Sequence, residues 1–221
     1  MTFRDIRKSR KWLSVEEIRL LFLALFILVL LVVLNVYLAR SLPGGEFFYL
    51  RWSGAREFLV NHGEPYSSTI AEGAQNMAYG RPALSSEYPY VLNDPFYIVF
   101  LYIPLAMFSD FTIARGLWML LSEIALIGSV YYLLRLVEWE PPRWLLAGMI
   151  GVGLFGYYSL ISFGSGAPTA ILTFLFILVL VSLRSFSDEL AGALLFLAAY
   201  QWEVGGLFVL FILFMVFANR R

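Results

Sequence analysis

IRLLFLALFILVLLVVLNVYLA, residues 18–39, is the apolar run that decides the fold class. At about 1.5 Å of rise per residue, a helix of this length crosses the roughly 30 Å hydrocarbon core of a membrane. The run is too long for the core of a signal peptide, and Leu38-Ala39-Arg40 is a poor cleavage site. We therefore expect an uncleaved anchor. Ser14-Val15-Glu16-Glu17 has the spacing of a capping box that starts its helix.

Composition places the whole chain in the membrane class. Of its 221 residues, 60% are hydrophobic and 14% are charged, whereas soluble domains carry roughly a quarter charged residues. The formal net charge is zero and the basic residues are scattered, so nucleic-acid binding has no support. The chain has no cysteine, which excludes disulfides and thiolate chemistry. His62 is its only histidine and leaves no cluster with the spacing of metal ligands.

Six apolar segments are long enough to span a membrane, or become so with tilt. They comprise residues 18–39, 112–134, 144–161, 168–183, 190–203 and 205–218. A seventh segment, 95–108, is shorter and contains Pro104, which favours a re-entrant or interfacial helix. We therefore predict an all-α, polytopic membrane helical bundle with about six transmembrane helices. Interfacial and re-entrant helices lie in a large first outer loop, and residues 1–221 form a single membrane domain.

The distribution of basic residues orients these spans, because Lys and Arg favour the cytoplasmic side. If segment 95–108 does not cross, the cytoplasmic side holds Arg135, Arg143, Arg184, Arg220 and Arg221, together with Arg4, Arg7, Lys8, Arg10 and Lys11. We expect an integral protein of a prokaryotic-type plasma membrane with both termini in the cytoplasm. Its parts are a cytoplasmic N-terminus over 1–17, an outer loop over 40–111 and a five-helix bundle over 112–221. The outward-facing segments are then 40–111, 162–168 and 201–205.

Residues 46–60 form a predicted amphipathic helix at the membrane interface. At 100° per residue, Phe47, Phe48, Trp52, Ala55, Phe58 and Leu59 share one arc. Arg51 falls inside this apolar arc, so it either snorkels to lipid headgroups or faces a buried anion such as a phosphate. Residues 61–63 are a helix-stop signal, and we expect residues 67–88 to form an irregular loop. This loop is either a surface loop beside the interfacial anchor or a lid or binding loop.

Several motifs occur in a characteristic order along the chain. They are Glu46-Phe47, Gly63-Glu64-Pro65-Tyr66, the region 88–96 leading to Ile103-Pro104-Leu105, Gly116-Leu117-Trp118, the loop 163–168 and Leu190-Ala191-Gly192-Ala193. This order resembles the GT-C membrane glycosyltransferases, and most of all the polyprenyl-phosphate-mannose-dependent alpha-mannosyltransferases of glycosyltransferase family 87. The resemblance implies a hexosyltransferase or mannosyltransferase that acts on the outer face. Its partners would be membrane lipid and a polyprenyl-phosphate sugar donor, and the resemblance leaves a divalent cation open as cofactor.

The chain also departs from the family pattern. Glu46 stands where the family has Asp, residues 164–167 read Gly-Ser-Gly-Ala in place of Gly-Gln-x-Asn, and Gln201-Trp202 replace Lys-Pro. The chain also has fewer predicted spans than members of this family usually have. We therefore expect a truncated or degenerate relative. The alternative function is a non-catalytic membrane subunit of a larger complex, built on half a GT-C scaffold and bound to partner subunits.

Glu46 and Asp94 are the candidate catalytic residues, since sugar transfer needs a base for the acceptor proton. The resemblance favours Glu46, whose alternative role is an acid that stabilises a helix N-terminus. For Asp94 the alternative is an Asx-type cap of the helix that follows. The candidate donor-phosphate or substrate-binding residues are Arg51, Arg56, Arg81, Arg115, Gly164 and Gly166. Arg115 is alternatively an interfacial anchor, and the two glycines are alternatively a flexible turn.

Two further acids are candidate intramembrane polar residues. Glu123 lies near the middle of the second span, where a carboxyl must find a partner or be protonated. Glu203 lies close to the outer boundary, where water lowers the cost of its charge. A small transporter that uses both acids is a third hypothesis, ranked last because no inverted repeat is evident.

Overall fold

The computed structural model describes residues 14–218. The described chain forms α1 (Val15–Ser41), α2 (Glu46–Arg56), continued by a π-helical turn (Glu57–Asn61), α3 (Ser68–Tyr79), α4 (Phe96–Ala106), α5 (Phe111–Leu136), α6 (Arg143–Phe155), α7 (Tyr157–Ser165), α8 (Thr169–Arg184), α9 (Asp188–Ala198) and α10 (Trp202–Ala218). Over these residues all regular structure is helical, which confirms the predicted all-α class. The basic residues before Ser14, and Arg220 and Arg221, lie outside the described part.

Within the described residues, two helices are long and apolar enough to cross a membrane. They are α1, with 27 residues, and α5, with 26 residues. Helices α6 and α7 pass the same test as a pair, although the chain bends by 45° between them. The bend lies at Gly156, where a Cβ would approach the carbonyl oxygen of Val152 to 2.6 Å, so only glycine fits. Residues 14–218 therefore hold two candidate spans, or three if the bent pair is one.

The remaining predicted spans are helical but shorter. Helices α8, α9 and α10 have 16, 11 and 17 residues. Their lengths are about 24, 17 and 26 Å, below the roughly 30 Å of a hydrocarbon core. The predicted segment 190–203 is interrupted after Ala198, and α10 starts only at Trp202. Helix α4, with 11 residues, has a length that suits the non-spanning helix predicted there.

Sequence signals at the helix ends account for two of the observed boundaries. The Ser14 hydroxyl accepts from the Glu17 amide at 3.2 Å, and the Glu17 carboxylate accepts from the Ser14 amide at 2.7 Å. This is the predicted capping box. The predicted helix over 46–60 is confirmed as α2 with its π-helical turn. It ends at His62, which adopts the left-handed conformation with φ 53°.

Residues 68–79 correct the prediction of an irregular loop over 67–88. They form α3, whose buried residues are Ile70 and Ala74. Both pack in a cluster with Leu50 of α2. Ile70 and Ala74 stand at i and i+4, so the helical periodicity was present in the sequence, and the small and polar residues around them masked it. Gly80, at φ 69°, ends the helix.

An aromatic core joins the segment 40–111 to the first long helices. Helix α2 packs against α3, α4 and α5, and α5 lies between α1 and α8. Phe48, fully buried, stacks on Trp118 of α5 with ring centroids 5.3 Å apart. Tyr102 of α4 lies 5.1 Å from the same Trp118 ring. The segment is thus a layer of packed helices, which fixes the positions of its polar side chains.

Candidate functional site

One polar cavity brings together residues from three segments that are far apart in the sequence. We call it the polar cavity; its volume is about 380 Å³, within the range of about 300–1,000 Å³ usual for ligand sites. Its lining residues are Phe47, Leu50 and Arg51, then Tyr88 with residues 91–94, then Ala167, Pro168 and Thr169, and finally Tyr200, Gln201, Trp202, Glu203 and Val204. These groups come from the segments predicted to face outward, or from positions directly beside them.

A buried ion pair lies in the wall of the polar cavity. The Arg51 Nε atom is 2.7 Å from Oδ2 of Asp94, and Nη2 donates to Oδ1 at 3.1 Å. Nη1 donates to the backbone oxygen of Phe47 at 2.9 Å. The cap position of α4 is Pro95, and both carboxylate oxygens of Asp94 face Arg51. Arg51 does face a buried anion, and that anion is Asp94.

The surroundings keep Arg51 charged. Burial lowers the pKa of Arg51, but neighbouring Tyr102 and Asp94 outweigh burial and raise that pKa above its usual value. The Tyr66 hydroxyl donates to the backbone oxygen of Asp94 at 2.9 Å. Burial, and then the Asp94 charge, raises the pKa of Tyr66, so this hydroxyl stays a donor. The pair therefore holds α2, α4 and the segment between them in one arrangement.

Glu203 determines the charge of the polar cavity. The charged residues that line it are Arg51, Asp94 and Glu203. Since the first two pair with each other, Glu203 contributes an additional negative charge. It is exposed, as is the neighbouring Trp202. Sequence reasoning singled out the turn 201–205 but missed Tyr200, for which a break in the apolar run beside Gln201 was the available signal.

Arg115 forms a second cluster and holds backbone carbonyl groups. Its Nη1 donates to the oxygens of Ala39 at 3.1 Å and Leu42 at 2.9 Å. Its Nη2 donates to those of Pro43 at 3.0 Å and Gly164 at 2.8 Å. The side chain is 3% exposed. These contacts attach α5 to the end of α1 and to α7, a role that the sequence did not indicate.

The two candidate glycines take part in packing and backbone contacts beside this cluster. Gly166 has φ 74°, and a Cβ there would lie 2.5 Å from the Cβ of Phe48. Its carbonyl oxygen accepts from Nε1 of Trp118 at 3.1 Å. Gly164 offers its carbonyl to Arg115 and has open space at its Cβ position. Glycine is therefore required at position 166 by close packing.

Glu46 lies beside the polar cavity and not in its lining. It is the first residue of α2, partly exposed, and follows Gly45. The next residue, Phe47, does line the cavity. The structure therefore separates Glu46 from Asp94 and Glu203, which share the cavity wall.

Arg56 and Arg81 lie outside the cavity lining and have protein partners. Arg56 donates to the Ala106 oxygen at 3.1 Å and lies 5.7 Å from the Trp52 ring centroid. Arg81 pairs with Glu87 at 2.7 Å near the surface. Of the four candidate arginines, only Arg51 reaches the polar cavity.

Glu123 also lies away from the polar cavity. Its Oε2 atom accepts from Nδ2 of Asn35 at 3.0 Å, between α5 and α1. Asn35 is 1% exposed. Glu123 and Glu203, the two acids of the transporter hypothesis, are therefore not joined by one cavity.

Metal binding has no evident site in residues 14–218, where no group of three or more His, Cys, Asp or Glu side chains could hold an ion. The open question of a divalent cation thus receives no support from the arrangement of carboxylates. No protein-family model, curated protein or solved structure matches the chain. Functional interpretation therefore depends on the polar cavity and on the motif order.

Proposed function

We propose that the chain is an integral membrane protein of GT-C glycosyltransferase type. It transfers a sugar of the mannose type from a polyprenyl-phosphate donor to an acceptor hydroxyl in the polar cavity. The supporting observation is that the three segments oriented outward by charge alone contribute residues to one cavity. Convergence of this kind is expected if the segments share one side of a membrane.

The proposal includes six crossings in a prokaryotic-type plasma membrane, with both termini in the cytoplasm. The crossings are α1, α5, the pair α6–α7, α8, α9 with the turn after it, and α10. Short helices suffice here because a cavity that admits water shortens the hydrocarbon distance that α8, α9 and α10 must cover. Helices α2 and α3 lie on the outer surface, and α4 re-enters from it.

Glu203 is our candidate for the general base. A base must lie within hydrogen-bond reach of the acceptor proton, so it must be accessible from the cavity. Glu203 is exposed there, whereas both carboxylate oxygens of Asp94 face Arg51. The resemblance assigns the role to Glu46, which lies outside the lining. Separate substitution of Glu203 and Glu46 therefore tells which of the two carboxylates acts as the base.

Transfer is tested with protein reconstituted in liposomes and given polyprenyl-phosphate-mannose and a mixture of acceptors. The measured quantity is polyprenyl phosphate released per minute. Because a positioned base contributes about 10²–10⁴ in rate, Glu203→Gln is expected to slow release by at least about 100-fold. Glu64→Gln is the control, since Glu64 is exposed and outside the cavity lining. Loss in Glu46→Gln alone would return the base to Glu46, and absence of release by folded wild-type protein would contradict the proposal.

A non-catalytic subunit is the second candidate, and the arginine contacts favour it. A departing lipid phosphate needs cations, yet Arg51, Arg81 and Arg115 are all engaged by protein groups. Under this alternative, the polar cavity is the remnant of an active site that no longer catalyses transfer, and the chain binds partner subunits. Isolation from its native membrane in mild detergent would then yield a stable complex. A monodisperse monomer would count against this alternative.

A further inference from the structure

A second cavity, here called the apolar cavity, adjoins the polar cavity. Its volume is about 370 Å³, and it lies among α4, α5, α8 and the end of α9. Its lining is hydrophobic apart from the tyrosine hydroxyls and the indole N–H, and includes Ile98, Trp118, Ile171, Leu172 and Leu175.

The two cavities share walls. Pro168 and Tyr200 line both of them. Two residues that line the apolar cavity, Leu101 and Leu121, are 51% and 44% exposed and form its rim. The rim thus opens on the apolar flank of α4 and α5, which contacts lipid in the proposed orientation. The shared residues place a polar cavity next to an apolar one whose rim faces the hydrocarbon region in the proposed orientation.

We propose that the two cavities form one binding site for a membrane amphiphile with an uncharged, hydroxyl-rich head. The head occupies the polar cavity, and one hydrocarbon chain enters the apolar cavity between α4 and α5. An apolar cavity alone would accept any hydrophobic molecule. Its shared wall with a polar cavity selects a molecule that carries both characters.

The charges of the polar cavity exclude an anionic head as the preferred ligand. Arg51 donates to Asp94 and to the Phe47 carbonyl, so its positive charge is already compensated. Glu203 adds a negative charge, which repels phosphate and accepts hydrogen bonds from hydroxyl groups. Gln201 adds an amide, while Tyr88 and Trp202 add aromatic rings that can pack on the face of a sugar ring. These groups suit a neutral sugar head.

Within the proposed transfer reaction, this amphiphile is the acceptor, and that assignment rests on the proposed function. Its head would bring a hydroxyl to Glu203, and the sugar of the donor would meet that hydroxyl in the polar cavity. The binding site itself needs no transfer step. Binding can therefore be measured without donor, which separates the two proposals.

The test uses the full chain in phosphatidylcholine nanodiscs. The probe is a monohexosyl diacylglycerol with a diazirine near the end of one acyl chain, and the cross-linked peptides are identified by mass spectrometry. We expect the label on α4, α5 and α8 at residues that line the apolar cavity. Unlabelled monohexosyl diacylglycerol should compete at least about tenfold better than phosphatidylglycerol. Free hexose should not compete, because it lacks the chain.

Two pairs of variants locate the two ends of the ligand. Leu121→Trp places an indole at the rim of the apolar cavity and should reduce cross-linking about fivefold or more, whereas Leu133→Trp should not. Leu133 is a matched control because it lies on the same helix, is 42% exposed and is absent from the lining. Glu203→Gln should weaken competition by the glycolipid about tenfold, and Glu64→Gln should leave it unchanged.

Three results would overturn the inference. The first is label spread evenly over the lipid-facing helices, which indicates surrounding lipid only. The second is equal cross-linking in Leu121→Trp and Leu133→Trp. The third is stronger competition by phosphatidylglycerol, which indicates an anionic ligand. A protein that binds the glycolipid yet releases no polyprenyl phosphate would support the site and contradict only the transfer reaction.

Discussion

Arg51 and Asp94 form an ion pair with an Nε–Oδ2 distance of 2.7 Å, and their side chains are 6% and 5% exposed. The pair joins α2 to the residue that precedes the cap of α4. It lies in the wall of the polar cavity, so the stability of the cavity depends on it. Losing one partner leaves the other charged group buried without compensation.

Asp94→Asn should therefore lower the free energy of unfolding by about 3–5 kcal/mol. The double variant Arg51→Met/Asp94→Leu should lose much less, because it removes both buried charges. Unfolding by denaturant in a mild detergent measures both effects, with Glu64→Gln as the control. Equal stability of Asp94→Asn and wild type would show that this pair contributes little.

Arg115 gives a second prediction, because four backbone carbonyls accept from its guanidinium. Arg115→Met leaves those oxygens without this donor and should lower the free energy of unfolding by about 3–5 kcal/mol. Arg115→Lys should recover only part of this loss, since an ammonium cannot reproduce the planar geometry. Arg143→Met is the control, because Arg143 is exposed at the start of α6. Similar melting curves for the two methionine variants would contradict the assigned role.

Gly166 gives a third prediction, with Gly148 as its matched control. Gly166→Ala introduces a Cβ against Phe48 at φ 74° and should destabilise the protein by more than about 1 kcal/mol. Gly148 is helical and has open space at its Cβ position. Gly148→Ala should therefore stabilise the protein by about 0.5–1 kcal/mol. Thermal unfolding of both variants measures the contrast, and a loss of stability in Gly148→Ala would count against the observed packing.

Arg81 and Glu87 give a prediction about pH. Hydrogen bonds from Arg81, followed by one from the Leu84 amide, lower the pKa of Glu87 from 4.5 to about 2. A lowered pKa means that the contact is fully present above the unfolded value and is lost as the pH falls through about 2. The Leu84 amide donates to Glu87 at 2.9 Å, so hydrogen exchange of this amide measures the loss of the contact. After correction for intrinsic rates, its protection should stay constant from about pH 7 to 4.

Arg81→Gln tests the cause of that lowered pKa. Without the guanidinium, loss of Leu84 protection should move up toward the ordinary pKa of a glutamate, about 4.3. Glu72→Gln is the control, since Glu72 is exposed on the neighbouring helix α3. An unchanged pH midpoint in Arg81→Gln would mean that another group holds the Glu87 carboxylate.

Much of the fold could be predicted because long apolar runs and helix ends are signals within one stretch of chain. The runs at 18–39 and 112–134 are α1 and α5, and the aromatic pattern after Glu46 is α2. Helix α3 was missed although Ile70 and Ala74 stand at helical spacing, because the small and polar residues around them masked the pattern. The bend at Gly156 was missed because glycines are frequent in transmembrane helices and do not by themselves mark a break.

The site was harder to predict than the helices. Charge placement in the sequence assigned three segments to one side, but it could not show that they enclose a cavity. The arginine partners were also beyond prediction, since Arg115 binds backbone oxygens, which every residue type carries. Asp94 lies 43 positions from Arg51, and nothing local indicates their contact. Contacts between residues that are distant in the sequence therefore could not be predicted.

Placement of the polar cavity on the outer face is tested most directly by cysteine labelling, because the natural chain has no cysteine. Single cysteines at Tyr88, Thr169 and Glu203 sample the three segments that line the cavity, and one at Trp139 samples the opposite side. On intact cells, a membrane-impermeant maleimide should label the first three positions, and Trp139→Cys only after permeabilisation. Labelling of Glu203→Cys or Thr169→Cys only after permeabilisation would contradict an outward-facing cavity.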